Sequence, residues 1–136
     1  MKKIFIDTDI ILDLLTKREP FYNNASLLFS LIDKGKIKAF SSSLIFSNLY
    51  YILRKVKGSK QTIKILQKLS TLIEILSVDS KIITLSLQSE FKDFEDAIQY
   101  YTAIENNVPV IITRNVKDFK PAKIKILTPD EFLSSL

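Results

Sequence analysis

The sequence predicts an open α/β fold: a central, mainly parallel sheet of about five strands with helices on both faces. Two observations predict it: short apolar segments alternate with longer segments of helical spacing, and two of the predicted helices end at the only two glycines. The 46% hydrophobic content is that of a folded globule. We expect a single domain over residues 1–136, because no linker, repeat or low-complexity tract divides the chain.

The first third of the chain is predicted to be one strand and two helices. Residues 3–7 form an apolar run that is typical of a buried strand, and residues 8–17 form a helix that ends before the Glu19–Pro20 pair. In residues 22–34 apolar side chains recur at helical intervals up to Gly35, which is typical of a glycine after a helix end.

The middle of the chain repeats this pattern. Residues 37–42 are a short predicted strand, and residues 43–57 place apolar side chains on one face of a helix that stops at Gly58. Ser59 then has the residue type of an N-cap for a helix to about residue 70.

The last part alternates again. Strands are predicted at residues 73–78, 108–113 and 123–127, and helices at residues 80–91, 93–106 and 128–136. In the helix over residues 93–106 we expect Phe94 and Ala97 to face inward, and in the terminal helix Pro129 occupies the first position.

The composition excludes several kinds of chemistry. The chain has no cysteine and no histidine. Disulfides, thiolate metal sites and thiol nucleophiles are therefore excluded, as are an imidazole base near pH 7 and the commonest zinc ligand. Catalysis by this protein would have to use carboxylates, hydroxyls, amides, lysines, or a hard metal ion held by oxygen.

The N-terminus and the net charge bear on location and partners. Asp7 interrupts the first apolar run after three residues, and no run reaches the length of a membrane span, so we expect a cytoplasmic protein with no membrane segment. The net charge of +5 is compatible with a nucleic-acid partner and equally with a lysine-rich solvated surface.

Acidic and polar residues follow several of the predicted elements. Asp7 ends the first strand, Asp96 lies at the start of a helix, and Thr113, Asn115 and Asp118 follow the strand "VPVIIT". In a parallel sheet the carboxyl ends of neighbouring strands meet at one edge, where ligands bind.

Each acid also has a simpler structural interpretation. Asp7 and Asp9 are suitable caps for the first helix, and Asp93 with Asp96 resembles a capping box with Asp in place of Glu. Asp13 and Lys17 have the spacing of an ordinary i,i+4 pair. Capping accounts for one acid at a helix start. The helix predicted over residues 93–106 begins with three, Asp93, Glu95 and Asp96, and this number favours a bound cation.

The order of these segments resembles the PIN domain family, and within it the VapC-like metal-dependent ribonucleases. The resemblance rests on "FIDTDIILDLL", "SSSLIFSNLYYILRK", "DFEDAIQYYTAIENN", "IITRNVKDF" and "ILTPDEFL". It implies a three-layer α/β/α domain with an acidic pocket that holds Mg²⁺ or Mn²⁺ and cuts RNA. Carried over to this chain, Asp7, Asp96 and Asp118 are the metal-binding acids, with Asn115 as a competitor for the last role, and Thr113 orients the pocket.

The chain departs from the family pattern at one position. Asn48 stands where the family usually has glutamate. The expectation is a divalent-metal-dependent endoribonuclease that hydrolyses phosphodiester bonds with a metal-activated water, but with a weaker metal site. The alternative is a catalytically weakened or inactive PIN-fold module that binds RNA or protein. The resemblance also implies the toxin of a toxin–antitoxin pair, an antitoxin partner and a homodimer.

A basic segment near the middle of the chain is a candidate RNA groove. Tyr50 and Tyr51 precede six cations, and the last three of these share one helix face: Arg54, Lys55, Lys57, Lys60, Lys64 and Lys68. The alternative is that the lysines form a solvated stripe and that the tyrosines lie in the core or in a dimer interface. For the tyrosines we favour this alternative.

A phosphatase of the haloacid-dehalogenase type is the remaining interpretation, because Asp7 and Asp9 have the spacing of its two acids. We reject it, since Ile11 stands where that family has threonine or valine and its later Gly-Asp motif is absent.

Overall fold

The computed structural model describes all 136 residues and contains one five-stranded parallel sheet. Its strands are β1 (Lys2–Ile6), β2 (Ile37–Ser42), β3 (Ile73–Leu76), β4 (Val110–Ile112) and β5 (Lys125–Leu127). They lie side by side in the order β3-β2-β1-β4-β5, and every neighbouring pair is parallel. The predicted α/β class and the number of strands are confirmed.

Seven α-helices connect and flank the strands. They are α1 (Thr8–Leu15), α2 (Tyr22–Asp33), α3 (Ser43–Lys57), α4 (Ser59–Leu69), α5 (Ser80–Leu87), α6 (Phe94–Glu105) and α7 (Pro129–Ser134). A 3₁₀ turn, Val116–Phe119, lies between β4 and β5. Since crossovers between parallel strands are right-handed, this strand order puts α1 to α4 on one face of the sheet and α5 and α6 on the other, so the domain has the predicted three layers.

The core lies around the central strand. Ile4, Phe5 and Ile6 of β1 have no solvent exposure, as expected for a strand that is covered on both faces. Helix α3 buries Ile45, Leu49 and Leu53 against this core, at the spacing of one helix face. None of the helices combines the length and apolar character needed to cross a membrane.

The structure corrects several details of the predicted elements. The strand expected over residues 108–113 covers only Val110–Ile112, and the helix expected to reach residue 91 ends at Leu87. Phe94 does not face inward, because it is the first residue of α6 and 44% of it is exposed. These differences lie at the ends of elements, where hydrophobic spacing carries the least information.

The strand order determines where the candidate site lies. The chain moves from β1 to β2 and β3 on one side, and later returns to place β4 and β5 on the other side of β1. The order therefore reverses between β1 and β4, and ligands of open α/β sheets bind at such a switch point, beyond the carboxyl ends of the strands. Asp7 follows β1 and Thr113 follows β4 at this point.

Candidate active site

An acidic cleft of about 430 Å³ opens beyond the carboxyl ends of β1 and β4. Five carboxylate residues line it, together with Thr8, Asn48 and Asn115: Asp7, Asp9, Asp93, Glu95 and Asp96. Tyr51 and Ile52 complete the wall, and no lysine or arginine lines it. The cleft is therefore strongly acidic, although the protein as a whole is basic.

Asp7 is held in place from both sides of the switch point. Its backbone N–H donates to the Ile112 carbonyl at 3.0 Å, which continues the pairing of β1 with β4. One carboxylate oxygen caps α1 by accepting from the Thr8 N–H at 2.8 Å, and the other accepts from the Thr113 hydroxyl at 2.9 Å. The cap predicted for Asp7 is present, and the hydroxyl of Thr113 contacts this acid of the predicted pocket.

Asp96 lies opposite, in the first turn of α6. Its backbone N–H donates to the side chain of Asp93 at 3.0 Å, so Asp93 is the N-cap of α6. This is one half of the predicted capping box, and the reciprocal bond from the Asp93 N–H to the Asp96 carboxyl is absent. The Asp96 carboxyl is therefore left to face the cleft.

Burial and neighbouring acids raise the pKa of two acids of the cleft, Asp7 and Asp96. Burial and the nearby charges of Asp7, Asp93, Asp118 and Glu95 raise the pKa of Asp96 to about 7. Burial also raises the pKa of Asp7, and the hydrogen bonds from Thr113 and Thr8 oppose this shift. Carboxyl groups with raised pKa values in a cleft are typical of functional sites.

Asp118 lies beside the cleft and not in its wall. It belongs to the 3₁₀ turn and lines an adjoining cavity of about 520 Å³, whose walls also include Asp93 and Asp96. The neighbouring Phe119 is buried and packs against Phe91, which fixes the turn. Asp118 is close enough to contribute to the raised pKa values of Asp7 and Asp96.

The two asparagines expected at the site both line the cleft. Asn115 donates from its side chain to Asp9 at 3.1 Å and from its backbone to the Thr113 hydroxyl at 3.1 Å. Asn48 projects from the middle of α3, on the same helix face as Tyr51 and Ile52. The structure thus brings Asp7, Asp96, Asn48 and Asn115 together around one cleft.

One buried ion pair was not predicted. Asp13 is 1% exposed, and Arg114 donates to both of its carboxylate oxygens, at 2.9 and 3.2 Å. The guanidinium also lies over the Phe21 ring, 3.9 Å from its centroid. The expected pair of Asp13 with Lys17 is wrong, because Asp13 points into the protein and not along the helix surface.

A second polar contact that was not predicted joins the two helices on either side of the cleft. The Ser42 hydroxyl donates to the side-chain oxygen of Gln99 at 2.7 Å and accepts from the Ile45 N–H at 3.1 Å. Both Ser42 and Gln99 are buried. Since Ser42 caps α3 and Gln99 belongs to α6, this bond fixes the helix of Asn48 relative to the helix of Asp96.

Tyr51 was expected in the core or in a dimer interface, but it forms part of the cleft wall and is 56% exposed. The sequence carried a signal for this position. Tyr51 lies three residues after Asn48, so a helix places the two side chains on the same face. The interpretation of Tyr51 as a core residue is wrong.

The donor set of the cleft fits a hard divalent cation. All of its candidate ligands are oxygens of carboxylate, amide or hydroxyl groups, which are the ligands that Mg²⁺ and Mn²⁺ prefer. No three acidic side chains converge closely enough to form a complete ligand set by themselves. An ion bound here would therefore keep water molecules or share oxygens with a substrate.

Comparisons with known proteins place this chain in a family. The sequence model of the PIN domain family matches residues 3–117 of this chain. The chain is 26% identical to the ribonuclease VapC1 of Aquifex aeolicus (strain VF5) over 136 residues, covering 96% of this chain and 93% of that protein.

Solved structures share the fold. FitAcB from Neisseria gonorrhoeae superposes with a TM-score of 0.71 at 18% identity, over 93% of this chain and 97% of that one. A chain of a toxin–antitoxin complex from Klebsiella pneumoniae gives a TM-score of 0.69 at 24% identity, over 93% of this chain and 97% of that one. Since the family model spans most of the chain and ends at the turn that follows β4, the protein belongs to the PIN domain family and is VapC-like.

Proposed function

We propose that the protein is a divalent-metal-dependent endoribonuclease that hydrolyses phosphodiester bonds. The cleft is the observation that carries the proposal: five carboxylate residues line it, no lysine or arginine lines it, and the pKa of Asp96 is raised to about 7. Only Asp9 of the five is paired with a cation, Arg18, at 3.9 Å. So many like charges destabilise one another unless a bound cation neutralises them. The ribonuclease relative supports RNA as the substrate.

Mg²⁺ or Mn²⁺ is the cofactor that this donor set supports. Asp7 and Asp96 would hold the ion, with Asp118 and Asn115 as candidates to complete the site directly or through water. When bound, such an ion makes a water molecule more acidic and stabilises negative charge on the phosphate oxygens. This chemistry needs no histidine.

The remaining side chains of the cleft have positioning and binding roles in this proposal. Thr113 keeps the Asp7 carboxylate in one orientation through its 2.9 Å hydrogen bond. Asn115 is itself held by Asp9 and Thr113, so its amide is fixed at the mouth of the cleft. Asn48 presents a neutral amide that can donate to a phosphate oxygen, where a glutamate would repel it.

Asn48 also supports a second candidate function. A cleft with amide in place of carboxylate carries one negative charge fewer and binds a divalent cation more weakly. The alternative is therefore a catalytically weakened or inactive PIN-fold module that binds RNA or a protein. Retention of acids at Asp7, Asp96 and Asp118 favours the nuclease.

One experiment separates the two functions. Purified protein is incubated with a mixed RNA pool in Mg²⁺, Mn²⁺ or EDTA, beside Asp96→Asn and Asn48→Glu variants. The nuclease proposal expects cleavage by the wild type that needs metal and is lost in Asp96→Asn. If the wild type does not cut in any metal and Asn48→Glu does, the inactive module is the correct function.

The biological setting belongs to the same proposal. We propose that residues 1–136 form one domain, and that the protein acts in the cytoplasm. We also propose that it forms a homodimer and is the toxin of a toxin–antitoxin pair, held by an antitoxin protein. The toxin–antitoxin complex with the same fold supports this setting. Expression of the chain alone should then arrest growth, Asp96→Asn should not, and sedimentation should give a dimer.

A further inference from the structure

We propose that Tyr50, Tyr51 and Arg54 form a base-stacking platform that leads single-stranded RNA from the groove between α3 and α4 into the acidic cleft. This inference rests on the proposed function and adds the path of the substrate. The three residues are called the α3 platform below. The proposed path of the RNA runs from a basic groove across this platform to the wall of the cleft.

The platform begins inside the cleft. Tyr51 is the only aromatic residue that lines the cleft, and 56% of it is exposed. A tyrosine contributes more to stability when its ring is packed in the core, so a largely exposed ring beside a candidate active site is available for a ligand. Tyr51 is therefore the one aromatic side chain that the cleft wall offers to a base.

An arginine links this ring to a second one. The Arg54 guanidinium carbon lies 5.3 Å from the centroid of Tyr51 and 6.0 Å from that of Tyr50. The two rings meet edge to face, with centroids 5.5 Å apart. Guanidinium groups stack on bases as aromatic rings do and also attract phosphate. The cluster therefore offers both interactions that single-strand binding proteins use.

Tyr50 continues the path into a basic groove. It lines a groove of about 500 Å³ together with Lys60 and Lys64 of α4, and no acidic residue lines that groove. The two lysines are exposed and are four residues apart, so they lie on one face of the helix. The platform thus connects the acidic cleft to a row of cations.

The charge distribution favours RNA over a protein partner. Helices α3 and α4 together carry six Lys and Arg and no Asp or Glu. Since the acids of the cleft repel phosphate, attraction of the RNA backbone must come from outside the cleft, and this basic surface is in direct contact with its wall. Exposed Val56 and Ile63 on the same surface would instead suit a protein partner, and the experiment below includes that outcome.

The test measures binding separately from cleavage. A fluorescein-labelled 12-nucleotide RNA of mixed sequence is titrated in EDTA with the wild type and with Tyr51→Leu, Tyr50→Leu and Arg54→Gln. Each tyrosine variant should bind about tenfold more weakly, because stacking of one base is lost. The same RNA with abasic sites should bind the wild type weakly, and Tyr51→Leu should then cause no further loss.

The cations are tested through the salt dependence. Lys60→Ala and Lys64→Ala should each lower the slope of log K against log salt by about 0.7, as expected for one phosphate contact to a single strand. The matched control is Lys36→Ala, an exposed lysine before the amino end of β2 and therefore at the opposite edge of the sheet. It should leave the affinity within about twofold of the wild type, since screening weakens distant charges.

The outcomes separate this inference from the proposed function. Cleavage by the wild type together with unchanged RNA binding by both tyrosine variants would overturn the platform and keep the nuclease. Binding that depends on the platform, without cleavage in any metal, would keep the platform and overturn the nuclease. If the wild type binds no RNA, the surface is not an RNA path. The same holds if the tyrosine variants bind RNA as the wild type does and differ from it only in the mass measured by sedimentation.

Discussion

Arg114 donates two hydrogen bonds to the buried carboxylate of Asp13, at 2.9 and 3.2 Å, and thereby ties the turn after β4 to helix α1. Its neighbours in the chain make two more bonds across the same gap. Thr113 bonds to Asp7 and Asn115 bonds to Asp9. Three consecutive residues thus hold three acids of the first strand–helix unit, so the geometry of the cleft depends on this turn.

Removal of Arg114 should destabilise the protein strongly. Arg114→Met keeps an aliphatic chain over Phe21 but leaves the Asp13 carboxylate, which is 1% exposed, without a partner. Breaking a buried pair from one side costs about 3 kcal/mol, whereas removing both charges costs much less. In urea unfolding at pH 7 we therefore expect a large loss for Arg114→Met and partial recovery in Asp13→Leu/Arg114→Met.

An exposed ion pair provides the control for this cycle. Lys81 and Glu105 form a salt bridge at the surface, between α5 and α6. Lys81→Met should change the urea midpoint little, because exposed pairs contribute little to stability. Equal losses for Arg114→Met and Lys81→Met would show that the Asp13 pair is not a structural anchor.

Loss of the Thr113 hydroxyl should disturb Asp7 specifically. The hydroxyl donates to Asp7 and accepts from the Asn115 N–H, and it is fully buried. Thr113→Val has nearly the same shape but lacks both bonds, so the free energy of unfolding should fall by about 1–3 kcal/mol. Thr113→Ser keeps the hydroxyl and should retain most of the bond energy.

The Mn²⁺ affinity, measured by calorimetry, distinguishes a role in orienting Asp7 from a general contribution to stability. If Thr113 orients Asp7, Thr113→Val should weaken Mn²⁺ binding and Thr113→Ser should restore it. A valine variant that is less stable but binds Mn²⁺ as tightly as the wild type would contradict the orienting role.

The sequence was sufficient to predict the architecture of the protein and four of the ten residues that line the cleft: Asp7, Asn48, Asp96 and Asn115. Alternating apolar segments predict the strands, and the carboxyl ends of parallel strands predict that Asp7 and Thr113 meet. The pair of Asp13 with Arg114 was not predictable in this way. Its two residues are 101 positions apart, and the local spacing of Asp13 favoured Lys17. Contacts of that kind depend on the packing of the whole sheet.

The pH dependence of stability should identify Asp96 as a crowded acid. Its pKa is raised from 3.8 to about 7 in the folded protein, so between these values the folded state binds more protons than the unfolded state. Stability should therefore rise as the pH falls from about 8 to about 5. Because Asp96 is partly exposed, solvent screening limits this contribution to about 1 kcal/mol.

Asp96→Asn removes the charge and tests the sign of the effect. In EDTA at pH 8 the variant should be more stable than the wild type, and at pH 5 the two should have similar urea midpoints. Asp33→Asn, an exposed acid at the end of α2, removes the same charge outside the cleft and should leave the pH profile unchanged. An Asp96→Asn variant no more stable than the wild type at pH 8 would show that its carboxylate is not crowded.

Asn48→Glu should make the stability of the protein more dependent on metal. A new carboxylate in a cleft that already holds five acidic residues should lower the melting temperature in EDTA at pH 8, because like charges repel. With saturating Mn²⁺ the added oxygen ligand should raise affinity, so the variant should gain more than the wild type on metal addition. Asn48→Gln has the size of glutamate without its charge and should behave like the wild type in both conditions. An equal gain with metal in Asn48→Glu and Asn48→Gln would mean that residue 48 lies outside the reach of the ion.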